Sequence, residues 1–80
     1  MATLRLFASA REAAGTGRAT VAGATVAEVL AEAVRCYGPA FGEVVENSRV
    51  WCNGEPAEGP EAVTDGDEVA VLPPVSGGCR

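Results

Sequence analysis

The chain has 80 residues, no histidine and a formal charge of −5, from eleven acidic and six basic side chains. A chain of this length forms one domain with a small core, and the lack of histidine argues against a hydrolase or a His-ligated metal enzyme. The negative charge argues against a nucleic-acid partner and favours a basic one, and no apolar run approaches the ~20 residues that cross a bilayer.

Two strands are predicted at the start of the chain. Residues Thr3–Ala8 alternate in polarity, with Leu4 and Leu6 on one face, which predicts a half-buried strand. Residues Arg18–Ala22 are predicted to return as a second strand. The connection Ser9–Gly17 is then expected to be a loop with a turn of its own.

The clearest predicted helix begins after Thr25. Thr25 is a good N-cap, and Glu28 three residues later completes a capping box. The following apolar residues recur at helical spacing and form one stripe: Val26, Val29, Leu30, Ala33, Val34 and Tyr37. Gly38-Pro39 ends this helix, and a second, shorter helix is predicted over Pro39–Glu46.

From Ser48 onward apolar and polar residues alternate again, which predicts strands in the last third of the chain. Asn53-Gly54 is a strong hairpin turn, followed by a short edge strand over Glu55–Ala57. Residues Glu68–Leu72 form a compact apolar strand, which Pro73-Pro74 ends. One helix across a small mixed sheet is an α+β roll, and a central pairing of the first and last strands would be parallel.

The last six residues, Val75–Arg80, are informative about function, although a glycine pair near a terminus is a weak signal by itself. A glycine pair after a diproline lets the backbone pass where any side chain would clash. We therefore divide the chain into a domain over residues 1–74 and a tail over residues 75–80, which suits insertion into a narrow active site of another protein. A frayed terminus is the alternative interpretation.

Two stretches of the sequence resemble a known family. The string DGDEVAVLPPVSGG, residues 65–78, and the opening LFASAREAAG, residues 6–15, closely resemble the MoaD/ThiS family of ubiquitin-like sulfur carriers. The resemblance implies a β-grasp (ubiquitin-like) fold, with a mixed sheet of four to five strands packed on one main helix. It also implies a carrier that is not an enzyme and binds no cofactor or metal itself.

The resemblance further implies the chemistry of Gly78. A ubiquitin-activating-type adenylyltransferase would use ATP and magnesium to adenylate the Gly78 carboxylate, which sulfur then converts to a thiocarboxylate. The opening stretch looks like the molybdopterin-synthase branch, whose large subunit would accept the sulfur. Thiamine, cysteine and secondary-metabolite pathways stay open, as do a ubiquitin-like modifier joined to lysines through Gly78 and a plain interaction module.

The chain departs from the family pattern after the second glycine. Members usually end there, whereas this chain continues with Cys79-Arg80. A carboxylate locked in the Gly78–Cys79 amide cannot be adenylated, so the resemblance implies prior cleavage between these residues by a JAMM-type metalloprotease. The alternatives are that Cys79 is a functional thiol or that the two residues are foreign to the natural chain.

Three large apolar residues are predicted to form a partner-binding face. Phe7, Trp51 and Leu72 fall on the strand phase opposite the core residues, and the predicted face extends to the tail root, Pro73 and Pro74. Ser76 and Gly77 would then give the tail access to the partner. Ordinary edge packing is the alternative, and a one-residue bulge would turn Trp51 inward.

The other cysteines and acidic residues are given structural roles. Cys36 and Cys52 are predicted to be small hydrophobes of the fold, and Asp65 and Asp67 turn formers. Three cysteines without a C-x-x-C pair predict reduced thiols in the cytoplasm and exclude a four-cysteine iron–sulfur site. A solvated acidic flank is formed by Glu43, Glu46, Glu55, Glu58 and Glu61.

Overall fold

The elements follow an order that brings the first and last strands side by side. The computed structural model describes residues 1–74. Its elements are β1 Ala2–Leu6, α1 Ala8–Ala14, β2 Arg18–Val21, α2 Val26–Tyr37, α3 Pro39–Glu46, β3 Arg49–Cys52, β4 Glu55–Pro56 and β5 Glu68–Leu72. The strands form one five-stranded sheet in the order β2-β1-β5-β3-β4. The central β1–β5 pair is parallel and the others are antiparallel, which is the β-grasp roll implied by the resemblance.

The core lies between one face of this sheet and the helices. Alternate residues of the two central strands point inward, including Leu4 and Leu6 from β1 and Val69 and Val71 from β5. Together with the helices and loops they form one buried cluster: Ala2, Leu4, Leu6, Ala10, Val21, Val26, Val29, Ala33, Phe41, Val63, Val69 and Val71. The opposite face of the sheet therefore remains available for other contacts.

Helix α2 begins at the predicted N-cap, Thr25, but the Glu28 side chain reaches one residue further back than in a standard capping box. The Thr25 hydroxyl accepts a hydrogen bond from the Glu28 amide at 3.2 Å, and the Glu28 carboxylate accepts one from the Ala24 amide at 2.9 Å. These bonds satisfy two amides that the helix itself cannot pair. Val29 and Ala33 of the predicted stripe are fully buried.

The predicted second helix, α3, is confirmed, and a sharp corner separates it from α2. Gly38 has φ of +99°, in the left-handed region that favours glycine, and Pro39 is the first residue of α3. Phe41 is fully buried, and its ring meets the ring of Tyr37 edge-on at 5.2 Å between centroids. This aromatic pair packs the end of α2 against the start of α3.

Helix α1 is the main departure from the predicted elements. The stretch Ser9–Gly17 was predicted to be a loop, and the first strand was predicted to reach Ala8 but ends at Leu6. Alanine has the highest helix propensity, and fully buried Ala10 packs this alanine-rich segment against the core. The segment lacks large apolar residues at helical spacing, and no side chain caps the helix at Phe7. The sequence signals that usually predict a helix are therefore missing.

The β3–β4 turn is tied to the start of β5. Asn53 and Gly54 both have positive φ, as in the type I′ hairpin turn that this pair favours. The Asn53 amide nitrogen donates to the Asp67 carboxylate at 2.9 Å, and its amide oxygen accepts from the Glu68 backbone at 3.0 Å. Asp67 also accepts a 2.8 Å hydrogen bond from the Thr64 amide, so its predicted role as a turn former is confirmed.

Candidate functional site: a docking face beside the tail root

The predicted reactive end lies outside the described residues. Ser76, Gly77, Gly78, Cys79 and Arg80 all belong to that segment. The structure describes the strand and the diproline that lead to it. Because β5 is hydrogen-bonded to β1 on one side and to β3 on the other, the tail begins at the centre of the sheet.

An apolar patch lies on the outer face of the sheet, formed by Phe7, Trp51, Ala70 and Leu72. Trp51 lies directly opposite Ala70 in the β3–β5 pairing. Together with Gly54 and Glu68, the patch lines an open hollow of about 250 Å³. Phe7 is 40% and Leu72 36% exposed, and the informative feature is that they belong to one apolar patch. The predicted placement of Phe7, Trp51 and Leu72 on one face is confirmed, while their docking role stays a prediction.

Trp51 faces outward because strand β3 has no bulge. The pairing of Arg49–Cys52 with Val69–Leu72 is regular over four residues. Since side chains alternate along a strand, Cys52 packs against the core and Trp51 points the other way. The alternative with Trp51 turned inward is therefore excluded.

One arginine joins the apolar patch to the charged surface around it. The Arg5 guanidinium lies 5.7 Å from the centre of the Phe7 ring, within range of a cation–π interaction. The same side chain forms a 3.3 Å ion pair with Glu68. Arg5 was not among the predicted site residues, although its two-residue spacing from Phe7 places both on the same strand phase.

Pro73 and Pro74 do not share the hollow of the apolar patch, although they were grouped with it in the prediction. They line a separate groove of about 350 Å³, the tail groove, whose other lining residues are Ser9, Glu43, Val44 and Asn47. Proline has no amide proton for a sheet ladder, so the chain leaves the sheet after Leu72. It then passes the start of α1 and the end of α3.

The two described cysteines occupy different environments. Cys52 is half-buried against the core as predicted, and burial, aided by the nearby Asp67 and Glu61 carboxylates, raises the pKa of its thiol. Cys36 is exposed, with its Sγ 3.8 Å from the Glu32 carboxylate, so its predicted role as a small hydrophobe of the fold is not supported. It lies one residue before Tyr37, outside the buried stripe of α2.

Within residues 1–74, no group of three His, Cys, Asp or Glu side chains could hold a metal ion. None of the helices in this part of the chain is long and apolar enough to span a bilayer. What the described residues offer is an apolar patch, with Arg5 and Glu68 beside it, next to the root of the tail.

Comparisons with known proteins agree with this arrangement. The ThiS family matches residues 4–78. The molybdopterin synthase sulfur carrier subunit of Chlamydomonas reinhardtii is 38% identical over 77 residues, covering 90% of this chain and 92% of that protein. The small archaeal modifier protein 1 of Haloferax volcanii is 42% identical over 85 residues, covering 92% of this chain and 97% of that protein.

Solved structures give the same result for the fold. The crystal structure of SAMP1 from Haloferax volcanii has a TM-score of 0.80 at 39% identity, covering 95% of this chain and 97% of that one. A chain in the crystal structure of the Amycolatopsis orientalis BexX/CysO complex also has a TM-score of 0.80, at 26% identity, covering 98% of this chain and 100% of that one. Members of the family are small carriers without catalytic activity of their own. The chain belongs to the ThiS family of ubiquitin-like sulfur carriers and modifiers.

Proposed function

We propose that this protein carries sulfur as a thiocarboxylate on Gly78 and delivers it to the synthesis of molybdopterin. The observation that carries the proposal is the extent of the family match, which runs from residue 4 and ends on Gly78. The relative named as a molybdopterin synthase sulfur carrier subunit supports the choice of pathway. The accepting partner would be the large subunit of that synthase.

In the proposed chemistry the partner enzymes supply the catalytic groups, and the carrier supplies only the Gly78 carboxylate. A carboxylate is a poor electrophile, so the Gly78 carboxylate first attacks the α-phosphate of ATP in a ubiquitin-activating-type adenylyltransferase, with magnesium there, and pyrophosphate leaves. A sulfur nucleophile then attacks the carbonyl carbon of the adenylate, and AMP leaves with the original oxygen. The chain has no histidine to act as acid or base, which is consistent with a substrate role.

Processing must come first in this scheme. In the full chain the Gly78 carbonyl belongs to an amide with Cys79, so no free carboxylate is available there. We assign removal of Cys79-Arg80 to a JAMM-type, zinc-dependent metalloprotease. The end of the family match at residue 78 supports cleavage at this bond.

Partner contact is assigned to the apolar patch and the tail root. Phe7, Trp51 and Leu72 would dock on the adenylyltransferase and later on the synthase, since exposed apolar patches of this kind mark protein contacts. Pro73 and Pro74 would direct the tail away from the sheet, with Ser76 and Gly77 entering the partner's active site. We place the protein in the cytoplasm, where thiols such as exposed Cys36 stay reduced.

Intact-mass measurement tests the proposal. The full chain and a chain ending at Gly78 are each incubated with the adenylyltransferase, ATP, magnesium and a sulfide source. We expect the shortened chain alone to gain the mass of one sulfur-for-oxygen exchange, and a zinc chelator to block trimming of the full chain in a cell extract. A thiocarboxylate on the full chain that retains Cys79 and Arg80 would contradict the processing step.

A protein modifier is the second candidate, favoured by the 42% identity to a small archaeal modifier protein. In that role Gly78 would be joined to lysines of target proteins. An antibody against the chain would then detect a ladder of conjugates in cells, lost when the chain is truncated after Gly77. The likeness to the CysO-containing complex keeps other sulfur-accepting pathways as alternatives, and purification with a Gly78-ended chain as bait would identify the acceptor.

A further inference from the structure

Three of the six basic residues lie on the outer face of the sheet. Strand alternation places Arg5, Arg18 and Arg49 opposite the core-facing residues of β1, β2 and β3. Arg18 lies directly opposite Arg5 in the β1–β2 pairing, and Arg49 lies directly opposite Leu72 of the apolar patch. The arginines therefore flank the patch on both sides.

This arrangement is unfavourable for the isolated chain. Like charges directly opposite each other on neighbouring strands destabilise a sheet by up to about 1 kcal/mol. Glu68 compensates Arg5 across 3.3 Å, whereas Arg18 and Arg49 have no ion-pair partner within residues 1–74. Two positive charges on this face remain uncompensated.

The rest of the molecule has the opposite sign. The outward strand positions carry three arginines and one glutamate, while the whole chain has a formal charge of −5. A formal charge of −7 is therefore left to the rest of the sequence. The total charge predicts a basic partner, but the face with the exposed apolar residues would attract an acidic one.

We propose that the apolar patch binds a partner protein whose surface has an apolar centre ringed by carboxylates. This rests on the proposed docking role of the patch and specifies the partner's chemistry. Leu72 and Phe7 fill the centre, and Arg18 and Arg49 pair with the rim. Complementary charge of this kind speeds encounter and rejects surfaces that carry the wrong sign.

The first experiment needs no partner enzyme. The ¹⁵N-labelled full chain is titrated, at low and high salt, with a peptide in which one phenylalanine is flanked by glutamates and with the matched arginine peptide. We expect the glutamate peptide to shift the amides around Phe7, Ala70 and Leu72 at low salt only. Equal or larger shifts there with the arginine peptide, or no shift with either, would overturn the proposal. Stronger binding of a single-stranded oligonucleotide to the same amides would replace it with a nucleic-acid site.

Two variants with the same net charge separate the effect of where the arginines lie from the effect of total charge on peptide binding. The double variant R18Q/R49Q and the single variant R35E each take the formal charge from −5 to −7. Arg35 is exposed on α2, where it pairs with Glu32. We expect the double variant to lose the shifts caused by the glutamate peptide and R35E to retain them. Equal loss in both variants would mean that total charge, not the face, determines binding.

The second experiment measures association with the adenylyltransferase. The double variant should associate about tenfold more slowly than the natural chain at low salt, and its rate should depend less on salt. The R35E variant should match the natural chain. An unchanged rate and salt dependence in R18Q/R49Q would overturn the charged rim. Absence of any adenylate on a chain that ends at Gly78 and carries no other change would instead contradict the sulfur-carrier function. The peptide titration does not depend on that function.

Discussion

Gly23 packs its backbone against the first turn of α2 more closely than any other residue type would allow. A Cβ at this position would lie 2.7 Å from the Val29 amide nitrogen and 2.8 Å from a Val29 methyl group. Because Val29 is fully buried, neither it nor the helix can move aside without disturbing the core. The absence of a side chain at Gly23 therefore sets the distance between α2 and the loop that precedes it.

Replacing this glycine tests that role. We expect Gly23→Ala to lower the free energy of unfolding in urea by about 1–3 kcal/mol, because the added methyl group overlaps the helix backbone. Gly66→Ala is the matched control, since no heavy atom lies within 4 Å of a Cβ there. It should change stability by less than about 0.5 kcal/mol. Equal effects of the two changes would contradict the close approach at Gly23.

The two described cysteines should differ in reactivity. We expect iodoacetamide at pH 8 to alkylate Cys36 about tenfold faster than Cys52 in the native chain, because Cys36 is exposed whereas burial raises the pKa of the Cys52 thiol. Peptide mapping by mass spectrometry at timed intervals measures both rates. In urea the rates should converge, and a native-state rate for Cys52 equal to that of Cys36 would show that Cys52 is not protected.

At the scale of elements, predictability follows the strength of the local signals. Helix α2 was predicted with its cap because Thr25, Glu28 and a stripe of large apolar residues all indicate the same element. Helix α1 was missed because its contacts depend on Ala10, whose small side chain gives no periodic signal and whose burial depends on distant strands. Alternation along the strands placed the apolar patch correctly. No local pattern could show that Pro73 and Pro74 lie beside α3, because that contact depends on the tertiary fold.

The turn before β5 gives the fold a defined response to acid. Hydrogen bonds from the Asn53 side chain and the Thr64 amide hold the pKa of Asp67 below its usual value. A carboxyl whose pKa is lowered by folding stabilises the native state above its unfolded pKa of ~3.9, and this stabilisation is lost as the pH falls through the folded pKa. Acid should therefore loosen the connection between the β3–β4 turn and β5.

An Asp67→Asn variant tests this coupling. We expect the variant to be less stable than the natural chain at pH 7, because one charge-assisted acceptor is lost. Its melting temperature should also fall less between pH 5 and pH 2.5, since residue 67 no longer titrates. Thermal melts followed by circular dichroism measure both effects. Parallel pH profiles for the two proteins would show that Asp67 does not contribute to acid sensitivity.

At the scale of the whole molecule, the two faces of one sheet have separate tasks. The inner face of β1 and β5 builds the core, while the outer face presents the apolar patch and its arginines. We therefore expect a change on the outer face to affect folding less than a change in the core. This separation makes the docking role experimentally accessible.

Trp51→Glu is the direct test of the patch. We expect it to raise the Kd for the adenylyltransferase at least about tenfold, because it places a charge at the apolar centre of the interface. The control Ala31→Glu adds the same charge on the exposed side of α2 and should leave the Kd unchanged. Thermal melting and amide spectra should show that both variants are folded. Global unfolding of the Trp51 variant would mean that this residue belongs to the core and not to a docking face.

The central position of β5 has a consequence for how the protein is made. β5 is the last strand of the described chain to be synthesised, yet it joins β1 to β3 and closes the core with Val69 and Val71. On the ribosome, the edges of β1 and β3 stay unpaired until these residues leave the exit tunnel, so folding is expected to finish only once β5 has emerged. A chain interrupted before Leu72 would lack the strand that joins the two halves of the sheet and would be open to degradation. The topology thus ensures that the docking face forms only on chains that have been synthesised as far as β5.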